Sequence, residues 1–332
     1  MVYKGVYLHN VAELLETEDG VILSRIPNRL SASVNPGVQT MAIQPAGAEV
    51  RFNLKSKEAR IVLKAREEGT FLGEIYQGSF LVGSYFINNS TSDVVISLPA
   101  NIEKLKELSE KEKMPFDTGL TRIILPYRAT CVIRDITGEF ELPGKEQLPE
   151  KKYLAYGSSI THGATAIRPT GTYAMRTAQF LGVDLINLGF GGSALCEKEM
   201  ADYIAERDDW NFASLEIGIN MISSFDVSEF RKRVEYFIPK IAHSHPDKYI
   251  FCIDMFTFYL GLKGERTKQK AFRDTVKEVA AGVKSEKVIH IDGRKLLRHW
   301  NGLCTDLVHP SPSGMEEIAG NLARVIRRYI EK

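Results

Sequence analysis

The sequence predicts an α/β chain in two parts: a three-layer α/β/α unit on a parallel sheet, preceded by an N-terminal β-sandwich of jelly-roll type. Three observations predict it. Short runs rich in branched and aromatic residues fill positions 7–139, strands and amphipathic helices alternate strictly after 151, and Glu141–Glu150 between them carries two prolines, a glycine and charge. A single core usually stops growing near about 250–300 residues, and the chain has 332. The expected boundaries are 1–145 for the sandwich and 151–332 for the α/β domain.

Taken in order, Glu49–Leu54, Arg60–Ala65, Asp93–Leu98 and Thr121–Leu125 are the clearest early strands. Several alternate apolar with polar residues, the pattern of a sheet with one wet face. Ile102–Lys113 breaks the run: Leu105 and Leu108 stand at helical spacing among Lys and Glu, which predicts a short solvated helix. After the linker, apolar strands are expected at Tyr153–Tyr156, Asp184–Leu188, Phe212–Ile217, Tyr249–Asp254 and Val288–Ile291. Strands separated by helices pair in parallel through right-handed crossovers, and ligands then bind at the carboxyl ends of the strands.

Composition narrows the function. Hydrophobic residues at 44% and charged residues at 26% are those of an ordinary globular protein. Lys and Arg number 43 against 42 for Asp and Glu, and a net charge of +1 offers no field for nucleic acid or anionic lipid. No stretch of about 18 apolar residues suggests a membrane span, and Met1–Tyr7 lacks the apolar core of a signal peptide. Cys131, Cys196, Cys252 and Cys304 form no CxxC pair and read as free thiols. A cytoplasmic location is the resulting expectation.

Chemically suggestive residues fall where the strand-end rule wants them. Gly157-Ser158-Ser159-Ile160-Thr161 follows the first parallel strand, Asn187-Leu188-Gly189-Phe190-Gly191-Gly192 the second, and Gly218-Ile219-Asn220 the third. Asp306-Leu307-Val308-His309-Pro310 follows the fifth. A serine hydroxyl needs a base within reach to attack an ester. Histidine can take the proton and return it, provided an acceptor fixes its tautomer. Asp306 and His309, three apart, suit that pairing. The oxyanion formed on attack needs preorganised donors; the N–H groups of Ser159 and Gly192 and the Asn220 amide are available.

These four segments, in this order and on this alternation, resemble the four blocks of the SGNH or GDSL-type esterase and acylhydrolase superfamily. The resemblance covers about the last 180 residues. It implies a flavodoxin-like fold, Ser159 as nucleophile, Gly192 and Asn220 in the oxyanion hole, Asp306 and His309 completing a triad, and no cofactor. A β-sandwich ahead of such a domain is similar to two-domain carbohydrate acetylesterases and some acyltransferases of that superfamily. The implied substrate is a short-chain, acetyl-type ester of a sugar or small hydroxylated molecule. Two other readings stay open: acyl transfer by the same triad to an acceptor other than water, and a non-catalytic carbohydrate-binding protein.

Two positions depart from the family pattern. Ser158 stands where Asp is usual, and Met221 where Asp often follows the third-block Asn; a methionine there would make the acyl site more apolar. His162 is the rival base, but so soon after Ser159 it is expected to enter the first helix and point elsewhere. Thr161, Ser158 and Ser193 read as helix caps. His243, His245, His290 and His299 read as structural or surface residues. Gly189-Phe190-Gly191-Gly192-Ser193-Ala194 fits a dinucleotide fingerprint, yet follows the second strand and lacks an acid placed for a ribose. G-x-S-x-G and HExxH are absent.

Overall fold

The computed structural model describes residues 1–260 and 267–331. Twelve strands come first: β1 (Val2–Tyr3), β2 (Val6–His9), β3 (Glu13–Thr17), β4 (Gly20–Ser24), β5 (Glu49–Leu54), β6 (Ala59–Ala65), β7 (Phe71–Gln77), β8 (Phe80–Ile87), β9 (Ser92–Ile96), β10 (Leu120–Ile124), β11 (Cys131–Thr137) and β12 (Phe140–Glu141). They make two antiparallel sheets, β1-β2-β5-β10-β7-β8 with β12 beside β5, and β3-β4-β11-β6-β9. The alternation along β6, where every second residue from Ala59 is buried, turns Ile61 and Leu63 inward. There they share a core with Val50, Phe52 and Ile123 of the other sheet, which makes the pair a sandwich.

Between these strands lie α1 (Asn28–Ser31), α2 (Pro36–Ala42) and α3 (Ile102–Glu112). The last is the solvated helix its charge pattern predicts. The first two were not legible as helices. Asn35 accepts a hydrogen bond from Val38 N and Pro36 takes the first turn, a short N-terminal signature. Their apolar side chains Leu30, Val38 and Ala42, with Val34 between the helices, pack into the core of the C-terminal half rather than into the sandwich.

The C-terminal half is built on β13 (Lys152–Gly157), β14 (Asp184–Gly189), β15 (Phe212–Glu216), β16 (Tyr249–Ile253) and β17 (Val288–Ile291). All neighbours are parallel, in the order β14-β13-β15-β16-β17. That is the flavodoxin-like order, with its switch point beside β13. Strand faces are apolar on both sides, as a doubly covered sheet requires. One face packs on α6 (Lys198–Ala205), α7 (Val227–Ser244) and α8 (Thr267–Gly282). The other packs on α5 (Tyr173–Leu181) and α9 (Pro312–Ile330). Among the described residues no helix is long and apolar enough to cross a membrane, and the four cysteines are unpaired.

Buried ionic contacts weld the halves. Arg51 on β5 forks onto both oxygens of Asp184 at the start of β14, at 2.7 Å each. Glu49 binds Arg51 and Arg122 beside it, and His9 Nε2 meets Leu185 O at 2.6 Å. Burial would raise the Glu49 carboxyl, but Arg122 and Arg51 outweigh it and hold it down at about 2. Arg25 is 1% exposed and donates to the carbonyls of Gln44, Met41, Asn187 and Gly189. The anticipated linker is also anchored: Gln147 bridges Asn53, Asp117 and Gly144 N.

Candidate active site

β13 ends at Gly157, and the chain turns directly into the single helical turn α4 (Ser159–His162). Only glycine lets it pass so close to β15, because a Cβ at 157 would lie 2.2 Å from Thr161 Oγ1 and 2.5 Å from Glu216 Oε2. Ser158 caps the turn, its Oγ accepting from Ile160 N at 3.2 Å. Ser159 is left as the first helical residue, partly exposed.

The partner groups come from the loop before α9. Cys304 N donates to His309 O at 2.8 Å, Leu303 pairs with Pro310, and the Thr165 hydroxyl donates to Pro310 O. The loop is thereby tied to the segment that follows α4. Ser159 Oγ lies 2.7 Å from His309 Nε2, and His309 Nδ1 lies 2.7 Å from Asp306 Oδ2. An ionised carboxylate can only accept, so Nδ1 carries the hydrogen and Nε2 presents its lone pair to the hydroxyl. Burial acts to raise the Asp306 carboxyl, but the backbone N–H groups of His309 and Val308 and the His309 ring hold it below the usual range. Asp306 remains 47% exposed, so its charge is partly screened by water.

Above Ser159 stands the loop after β14. Gly191 packs against it: a Cβ there would sit 3.6 Å from Ser159 Cβ and 3.2 Å from Met41 Sδ of α2. Gly192 is exposed, with φ +70, a left-handed conformation that suits glycine. Asn220 Oδ1 accepts Ala194 N at 3.2 Å, which orients the carboxamide and leaves its NH2 as a donor. The insert of the sandwich braces this loop, since Asn35 binds Ser193 O and Glu197.

Several expectations are corrected. Met221 is 0% exposed and belongs to the core, so it lends no surface to an acyl site. Thr161 caps nothing; it lies buried inside α4, bonded to Tyr173 and Glu216. Ser193 is buried against Gly37 and leaves the cap of α6 to Glu197. His162 does enter α4 and turn away. Its Nε2 meets Tyr127 O at 2.7 Å, and burial together with the Arg25 charge pushes it down to about 4. His290 pairs with Asp254 and His299 with Glu317, and His245 is buried against Trp210.

One residue escaped the sequence reading. Glu216, at the end of β15, is 1% exposed, and its Oε2 accepts Ser158 N at 2.7 Å and Thr161 Oγ1 at 3.1 Å. Burial raises its pKa against those hydrogen bonds. A signal existed: a lone glutamate in the apolar strand Phe212–Ile217 is almost never buried without a partner.

A hydroxyl, an imidazole and a carboxylate in series at the carboxyl ends of parallel strands can support nucleophilic acyl chemistry. Fold and arrangement together define an α/β acylhydrolase-type protein. Residues 150–327 match the family described as GDSL-like lipase/acylhydrolase, and the chain belongs to that family. No curated protein matches the sequence. Among solved structures, the chain is similar to a salicylyl-acyltransferase from a tetracycline biosynthetic pathway. That match has 17% identity and a TM-score of 0.80, and covers 98% of this chain and 95% of that one. It is similar also to a protein of Bacteroides ovatus described as a GDSL-like lipase, at 19% identity and TM-score 0.71, covering 99% and 96%. A family two carbohydrate esterase from Clostridium thermocellum, solved with cellohexaose, matches at 19% identity and TM-score 0.60, covering 86% and 93%.

Proposed function

We propose that the protein is a serine esterase that removes short-chain, acetyl-type groups from a sugar or other small hydroxylated molecule through an acyl-Ser159 intermediate. The observation that carries this reading is the unbroken series from Ser159 Oγ through His309 to Asp306, with both links at 2.7 Å. Ser159 Oγ attacks the ester carbonyl while His309 Nε2 takes its proton. The Ser159 and Gly192 N–H groups and the Asn220 NH2 face the oxyanion. His309 then gives the proton to the departing alcohol, and water, deprotonated by the same nitrogen, releases the acid.

The carbohydrate preference draws support from the esterase solved with cellohexaose. A second reading, transfer of the acyl group to an acceptor other than water, draws on the acyltransferase likeness that extends over both halves of the chain. Both share the first half-reaction and differ in how the pocket admits water. The test is hydrolysis of p-nitrophenyl acetate by the intact protein and by Ser159→Ala. The proposal expects turnover that vanishes in the variant, and undiminished release by Ser159→Ala overturns it. Added alcohols that divert the acetyl group at the expense of acetate would favour the transfer reading.

A further inference from the structure

A buried carboxylate lies directly under the nucleophile turn and has no part in the triad. The Glu216 Oε2 position is fixed by two donors, Ser158 N and Thr161 Oγ1. The Ser158 side chain also acts on this carboxylate. The carboxylate at the turn comes from the neighbouring strand, and Gly157 leaves the room it needs.

The titratable groups facing Glu216 come from every element packed round it: Tyr156 on β13, Tyr173 on α5, Cys196 after β14 and His309 on the loop before α9. Burial drives the two phenols and the thiol upward, so all three stay neutral.

We propose that Glu216 is a positioning residue for Ser159, pinning the Ser158–Thr161 turn by accepting from Ser158 N and Thr161 Oγ1. The inference rests on the esterase reading above. Glu216 touches no substrate and acts through Ser159.

The test uses the full chain and the variants Glu216→Gln and Thr161→Val. Gln keeps an oxygen for Ser158 N but removes the charge; Val removes one of the two donors and leaves the charge. Each is compared with wild type in p-nitrophenyl acetate hydrolysis across pH, and in the rate at which diisopropyl fluorophosphate inactivates Ser159. Glu216→Gln is expected to lower kcat about tenfold, the loss of one charge-assisted interaction, with KM unchanged. Thr161→Val is expected to slow both reactions severalfold. A merely structural Glu216 would lower melting temperature and active fraction but leave kcat per titrated site unmoved, and that result overturns the proposal. Should Glu216→Gln fail to fold, wild-type rates in folded Thr161→Val would overturn it equally. Loss of activity in Ser159→Ala with wild-type behaviour in Glu216→Gln refutes this inference alone; persistence of activity in Ser159→Ala refutes the esterase reading beneath it.

Discussion

Replacing Asp306 by Asn should be more damaging than removing its side chain altogether. Oδ1 of Asp306 accepts two backbone N–H groups, those of Val308 and His309, each at 2.9 Å. In an Asn variant those two donors require the amide oxygen at that position, so the NH2 group must face His309 Nδ1. A donor there forces Nδ1 to accept, moves the ring hydrogen to Nε2, and leaves no lone pair for the Ser159 proton. In triads with a buried carboxylate such a reversal costs about 10⁴ in kcat. Asp306 is half exposed, so water can partly restore the proper tautomer, and about 10³-fold, or about 4 kcal/mol of barrier, is expected. Asp306→Ala opens the position to water, which can accept from Nδ1, and should lose less than the Asn variant. The assay is kcat for p-nitrophenyl acetate at saturating ester, with active sites titrated by the p-nitrophenol burst. An Asn variant that equals or exceeds the Ala variant, or lies within threefold of wild type by this order-of-magnitude scale, would refute the assigned tautomer.

Other outcomes follow from the same geometry. Asn220→Ala should lower kcat by about 10²–10³ with little change in KM, as loss of an oxyanion donor does; an effect confined to KM would contradict that role. Arg25→Ala removes a donor from four backbone carbonyls, of which Asn187 O, Gly189 O and Met41 O keep another partner, and should destabilise the protein by about 1–3 kcal/mol in urea unfolding. Arg25→Lys should recover little of it, since an ammonium cannot reproduce the fork. His9 and His162 are both pushed down to about 4, by burial first and then by Arg51 and Arg25 respectively. A histidine depressed in the fold takes up its proton more readily when unfolded, so the stability from keeping it neutral is lost as pH falls from about 6.5 to about 4. Melting temperature should decline through that window and decline less steeply in His162→Asn; a flat profile would contradict the burial of these rings.

Much of this was legible in the sequence because it rests on local signals. Buried parallel strands read as apolar runs, and all five lie within two residues of where that pattern puts them. Turn chemistry likewise marked Gly157, Ser159, Gly192, Asn220 and the Asp306–His309 loop at the strand ends. What escaped was set by contacts distant along the chain. α1 and α2 are too short to show a helical period, and they owe their place to the core of the other half. Glu216 escaped because the groups it holds, Ser158 and Thr161, lie more than fifty positions earlier. Met221 was misjudged because its place after Asn220 says nothing of which way its side chain turns, and it turns into the core.

The acyl-Ser159 intermediate is what all the chemistry above depends on. Mass spectrometry of the protein quenched in acid within the p-nitrophenol burst observes it directly. The predicted result is one acetyl group per chain, carried on the peptide containing Ser159 and lost when that residue is alanine. Turnover without any adduct on that peptide, or an adduct that forms elsewhere and persists in Ser159→Ala, would contradict it.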